Sequence, residues 1–137
     1  MIVEALDLFQ LEAAPIDRLR FKLPFPPSVN SYKVPHPKVR GLYFLTAKAK
    51  EFRENVRAIV LSQCGIMKPL RTDLLVDIKL YPPDARRRDC DNYQKVLFDS
   101  LQAAGVFIDD MQIQSFRVTK FAAVKGGVVI IDIWERK

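Results

Sequence analysis

A chain of 137 residues, 49% hydrophobic and 28% charged, has the composition of one compact folded domain and excludes a disordered or low-complexity polypeptide. No apolar run approaches the roughly 20 residues of a membrane span, and the opening MIVEALDLFQ lacks the early positive charge of a secretory signal, so the cytoplasm is the expected location. The net charge of +6 is unevenly spread: Glu4, Asp7, Glu12 and Asp17 outweigh Arg18 in residues 1–18, leaving a basic body that suits a polyanion such as nucleic acid.

Cys64 and Cys90 match no zinc spacing and make no disulfide framework, so reduced thiols are expected. The single histidine, His36, lies between prolines in VPHPK and reads as a surface loop residue. Leu19, Phe21 and Leu23 alternate with Arg20 and Lys22, the period of a half-buried strand. Pro24-Phe25-Pro26-Pro27-Ser28 ends it, and a long polar loop follows to about Leu45. Thr46 is placed to cap a helix to about Gln63 that buries Ala49, Phe52, Val56, Ile59 and Val60. Leu74 to Tyr81 reads as a strand closed by Pro82-Pro83. Asp91 to Ala104 reads as a second helix, with Asp91 and Gln94 in capping-box spacing and Gly105 as the stop. The last third reads as a β-hairpin, Gln114 to Ala122 and Val128 to Trp134, turning at Lys125-Gly126-Gly127. The plan is α+β (mixed α/β), a single domain with a mixed sheet of about four strands and two main helices.

The segment Arg86-Arg87-Arg88-Asp89-Cys90-Asp91-Asn92-Tyr93-Gln94-Lys95 carries the most chemistry. On an extended approach Asp89 and Asp91 project to one side and Cys90 inward to the other. Two close carboxylates repel unless a proton or cation intervenes, and Mg2+ is a hard cation that prefers oxygen ligands. With Asp91 at the helix start, Lys95 at i+4 would stand beside it and could stabilise charge during phosphodiester cleavage. The arginines suit bidentate phosphate contacts. A structural reading remains open, with Asp91 a helix cap, Asp89 a solvated acid and the arginines their partners. Asp109-Asp110 follows the helix stop, where a reversal can return the chain toward the helix start. Only one of these two adjacent acids can face the first pair, and spacing does not say which.

These residues, followed by FDSLQAAGVFIDD (98–110), resemble the signature of RusA-type Holliday-junction resolvases. LPFPPSVN (23–30) is similar to that family's N-terminal segment and VTKFAAVKGGVVIIDI to its final hairpin, so the resemblance spans about residues 19–135. It implies a catalytic set of Asp89, Asp91, Lys95 and Asp110, with the three aspartates holding Mg2+, for which Mn2+ could substitute, and no organic cofactor. It also implies a homodimer that resolves four-way DNA junctions by symmetric cleavage in recombination and repair. Arg86, Arg87, Arg88 and Asn92, with Lys120 and Lys125, are the candidate DNA contacts.

The chain departs from the family pattern in residues 1–18, an acidic extension before the endonuclease domain of residues 19–137. In it Ile2, Leu6 and Phe9 could share a helical face, or the segment could be a tail. Its charge argues against direct DNA contact. Two other functions compete: a basic nucleic-acid-binding module without catalysis, and a metal-dependent nuclease of broader duplex or flap specificity. Closely spaced aspartates work against the first unless a cation neutralises them.

Overall fold

The computed structural model describes residues 18–136. The expectations for the acidic extension fall outside them, apart from Arg18, which opens the first strand. The chain runs β1 (Arg18–Leu23), β2 (Lys33–Pro35), β3 (Tyr43–Leu45), α1 (Ala47–Cys64), β4 (Asp73–Tyr81), α2 (Gln94–Ala103), β5 (Ile113–Lys120) and β6 (Val128–Arg136). Four strands form one sheet in the order β1-β6-β4-β5. β4 pairs antiparallel with β6 and parallel with β5, so the sheet is mixed, as the sequence implied. The stretch read as one long loop contains the small antiparallel hairpin β2–β3.

β4 lies inside the sheet with a strand on each side, and its run Leu74, Leu75, Val76, Ile78 and Leu80 is fully buried. On one face, alternate residues of β4, β6 and β1 meet Phe52, Val56 and Val60 of α1 and Val96, Leu97 and Leu101 of α2 in a single core. Thr46 caps α1 as expected, its side chain accepting from the Ala49 N–H. The opposite face carries a charged row in register across the sheet. Asp77 of β4 faces Asp132 of β6, and Arg20 and Arg117 stand at the same level on β1 and β5. Arg20 grips Asp132 through two bonds of 2.7 and 2.8 Å, and Arg117 donates to Asp77 at 2.9 Å. Both acids are 2% exposed, and their like charges are tolerable because Arg20 and Arg117 pair with them and Lys79 stands 3.3 Å from Asp77 and 3.8 Å from Asp132.

The expected C-terminal hairpin is not formed. β5 and β6 do not pair; β4 stands between them. Local patterning marked both strands correctly but could not register that β4, the most buried strand, offers two edges to be filled. β4, α2 and β5 instead make a parallel crossover, which carries the acidic segment to the end of β4 and the start of α2.

Gly126-Gly127 is therefore not a hairpin turn, although both glycines have positive φ (82° and 70°). Gly127 lets two loops close on each other: a Cβ there would sit 2.8 Å from the Phe25 Cβ and 3.0 Å from the Pro83 ring. Gly127→Ala should cost about 2 kcal/mol or more, from strain at positive φ and from overpacking. Chemical denaturation measures this, and an unchanged midpoint would show that the loops adjust freely.

Candidate active site

The acidic segment is organised by a residue that sequence reading passed over. Asp84, just beyond Pro82-Pro83, accepts from Arg88 at 2.7 Å and from the Arg86 backbone N–H at 3.0 Å, with the Arg86 guanidinium 3.6 Å away. The hydrogen bond from Arg88, then that from the Arg86 backbone, pulls the Asp84 carboxyl down to about 2. Arg88 is only 16% exposed and lies over the Phe25 ring, which meets Tyr93 edge-on at 4.9 Å. Lys120 donates to the Arg88 carbonyl at 2.7 Å. Arg88, a candidate DNA contact, thus braces the loop from within, and Lys120, another candidate, holds it from the exposed side; Arg86 and Arg87 are also exposed.

Asp89 and Asp91 are both exposed. The second helix does not begin at Asp91. Cys90–Asn92 form one turn of 3-10 helix, and α2 starts at Gln94. The expected capping box between Asp91 and Gln94 is absent: Asp89 holds the N-cap position without a side-chain bond, and α2 has no side-chain cap. The tight turn also changes the strand-like alternation foreseen for this segment, and Cys90 is exposed instead of turned inward. Tyr93 takes the buried position.

Lys95 follows from the corrected helix start. It lies in the first turn of α2 and donates to Asp99 one turn on, at 2.9 Å, and to Asp110 at 2.9 Å. It is not ion-paired with Asp91, which the four-residue spacing had suggested. The hydrogen bonds it donates to Asp110 and then to Asp99 hold its ammonium well above the ordinary lysine range, and the contact with Asp110 lowers that carboxyl in turn. Lys95 is therefore a fixed cation at neutral pH.

The adjacent acids divide their work as the geometry of neighbouring residues requires. Asp109 accepts from the Met111 N–H at 2.9 Å, and the Asp109 N–H donates to the Gln112 side-chain oxygen at 3.0 Å, within a complete capping box. Asp110 turns to Lys95. The reversal after α2 does bring the chain back toward the helix start.

An open cleft of about 660 Å3 runs beside this region. Lys48, Glu51 and Asn55 of α1 form one wall, and Arg86 and Arg87 stand on the other. It shares Ser28, Arg87 and Arg88 with a smaller hollow that Asp89 and Asn92 line. Lys125 lies elsewhere, beside Lys22 at the glycine turn.

Aspartate oxygens are hard donors of the kind Mg2+ takes. Asp89 and Asp91 form no ion pair among the described residues, while Asp110 is shared with Lys95. The donor chemistry fits a divalent cation, and no three acidic, histidine or cysteine side chains among the described residues are already gathered into a ligating group.

Sequence reading missed Asp84, Asp99 and Tyr32. Asp84 and Asp99 each stand four residues from a basic partner, Arg88 and Lys95, a spacing that could have revealed them. Tyr32, bonded to Asp99 from 67 residues away, had no such signal.

The fold is a mixed α/β domain whose segment 86–95 carries exposed carboxylates next to exposed arginines, with Lys95 held between Asp99 and Asp110. The family model for Endodeoxyribonuclease RusA matches residues 24–133, and the chain belongs to that family. It is 37% identical over 116 residues to the crossover junction endodeoxyribonucleases RusA of Escherichia coli (strain K12), Shigella sonnei (strain Ss046) and Enterobacteria phage 82, covering 82% of this chain and 91% of each relative.

Proposed function

We propose that this chain is a crossover-junction endodeoxyribonuclease that resolves four-way DNA junctions by hydrolysing a phosphodiester in each of two opposing strands. The observation that carries the reading is the family match, which spans Asp89, Asp91, Lys95 and Asp110 and the arginines of the cleft, Arg86 and Arg87. Asp89, Asp91 and Asp110 are the residues to hold a divalent cation, Mg2+ or Mn2+ in its place. When bound, the cation would polarise the scissile phosphate and lower the pKa of a water molecule.

The protein's own groups supply the rest. Lys95, charged and held by two carboxylates, donates to a phosphate oxygen as negative charge builds on it. Water oxygen bonds to phosphorus as the bond to the leaving sugar oxygen breaks, and that oxygen leaves with a proton, giving one phosphate monoester and one hydroxyl. Arg86 and Arg87, with Lys48 across the cleft, are placed to bind backbone phosphates. Asn92 sits in the hollow next to Asp89, where it would meet DNA close to the cut. Arg88 and Lys120 act by shaping the loop. Cleavage of opposing strands calls for two sites related by a two-fold axis, which a homodimer supplies. Among the described residues no helix is long and apolar enough to cross a membrane.

The test compares native protein with Asp91→Asn on a labelled four-way junction and on linear duplex, with and without Mg2+. Both proteins should bind the junction, and only the native one with metal should cut it, symmetrically. Binding without cleavage under every condition would make the protein a binding module. Equal degradation of the linear duplex would make it a nuclease without branch selectivity.

A further inference from the structure

Lys95 is one end of a polar chain that reaches through the core to α1. Its ammonium meets Asp110 Oδ2 and Asp99 Oδ1, each at 2.9 Å. The other oxygen of Asp99 accepts from the Tyr32 hydroxyl at 3.1 Å, and that hydroxyl in turn accepts from an Arg53 guanidinium N–H. Tyr32 is 2% exposed, and its main chain is fastened to the start of α1. The Thr46 N–H donates to the Tyr32 carbonyl at 3.0 Å, and the Thr46 hydroxyl to the Ser31 carbonyl at 2.7 Å. Arg53 also lies over the Tyr32 ring, 5.6 Å from its centroid. Asp99 is thus oriented from behind by a buried phenol, which a surface partner in a simple helical ion pair would not be.

We infer that Asp99, held by Tyr32 and Arg53, is the positioning residue for Lys95: it fixes the ammonium at the place where the scissile phosphate is met. The inference rests on the endonuclease reading and adds to it a residue outside the set Asp89, Asp91, Lys95 and Asp110. The physical need is clear. A lysine side chain has four rotatable bonds and loses about 2 kcal/mol of rotamer entropy when fixed. One of its two anchors, Asp110, is also a proposed cation ligand. Asp99 is the anchor with no second duty, so Lys95 keeps its place when Asp110 serves the cation. The chain also ties the site to the loop after β1, since Tyr32 immediately follows the 3-10 turn Val29–Ser31.

Single-turnover cleavage of a four-way junction in Mg2+ tests this with Asp99→Asn, Tyr32→Phe, Lys95→Ala and the double variant Asp99→Asn/Lys95→Ala. Asp99→Asn should cut about tenfold to a hundredfold more slowly, the loss expected from misplacing a reacting group by an ångström or so. Its junction affinity should stay within about twofold of native, because no DNA contact is removed. Tyr32→Phe, which keeps the ring and loses only the hydroxyl, should show a smaller loss of the same kind. Asp99→Asn should have no further effect once Lys95 is alanine, a non-additivity that a merely structural role would not produce. Native turnover in Asp99→Asn, or a full additional loss in the double variant, overturns the inference while leaving the endonuclease reading intact. A native protein that leaves the junction uncut overturns both. Should Asp99→Asn fail to fold, Tyr32→Phe and Asp99→Glu decide the matter: slowed cleavage with native affinity supports positioning, and native turnover in both rejects it.

Discussion

Asp110→Asn is expected to lower junction cleavage by about a hundredfold or more, while Asp109→Asn leaves it near the native rate. The two residues are adjacent and identical in chemistry, so the contrast isolates geometry. Asp110 faces Lys95 at 2.9 Å and is the acid proposed to join Asp89 and Asp91 at the cation. An amide in its place removes a negative oxygen both from the cation set and from the lysine. Asp109 has its oxygen committed to the Met111 N–H within a capping box. Asparagine caps nearly as well as aspartate, so Asp109→Asn should be close to neutral, whereas Asp109→Ala should cost about 1 kcal/mol of stability. Junction cleavage under single-turnover conditions, with a denaturation curve for each variant, reads both effects. Equal losses of activity in Asp109→Asn and Asp110→Asn, with folding intact, would break the division of labour between them.

The second large effect belongs to Lys95. Lys95→Ala should fold normally and bind the junction, yet cut it about a hundredfold to a thousandfold more slowly, the range seen when one donor to a developing charge is lost. Folding should survive because the Lys95 side chain is about half exposed. Binding should survive because the cleft cations Arg86, Arg87 and Lys48 remain. Lys95→Arg should rescue little: a planar guanidinium presents its donors in a fixed fork and does not reproduce a point charge shared between Asp99 and Asp110. Mobility shift gives the binding and quenched-flow cleavage gives the rate. Unchanged turnover would take Lys95 out of the catalytic set.

Much of the fold could be seen along the chain wherever side-chain period alone decides. The alternation of Leu19, Phe21 and Leu23, the three- and four-residue steps of Ala49, Phe52, Val56 and Val60, and the apolar run ending in Pro82-Pro83 each marked its element to within a residue or two. What escaped was pairing. Val128 to Trp134 and Gln114 to Ala122 have good strand patterns with a glycine turn between them, which locally is a hairpin. They separate because β4 satisfies its backbone on both edges, and that competition is invisible until all four strands are placed together. The start of α2 was misjudged for a related reason. Asp91 and Gln94 have capping spacing, yet burial of Tyr93 against Phe25 draws the chain into a 3-10 turn first.

The sequence by itself determined which residue types are available: clustered arginines, three candidate acids, one lysine, and an order that identifies the RusA family. Only the tertiary structure decided their duties. It committed Arg88 to Asp84, Asp109 to a cap and Asp110 to Lys95, and it brought Tyr32 to Asp99 across 67 residues. The reason is one of range. Patterning and capping depend on neighbours within a turn or two, whereas the partner of a charged side chain is set by whichever distant segment the packed core carries alongside it.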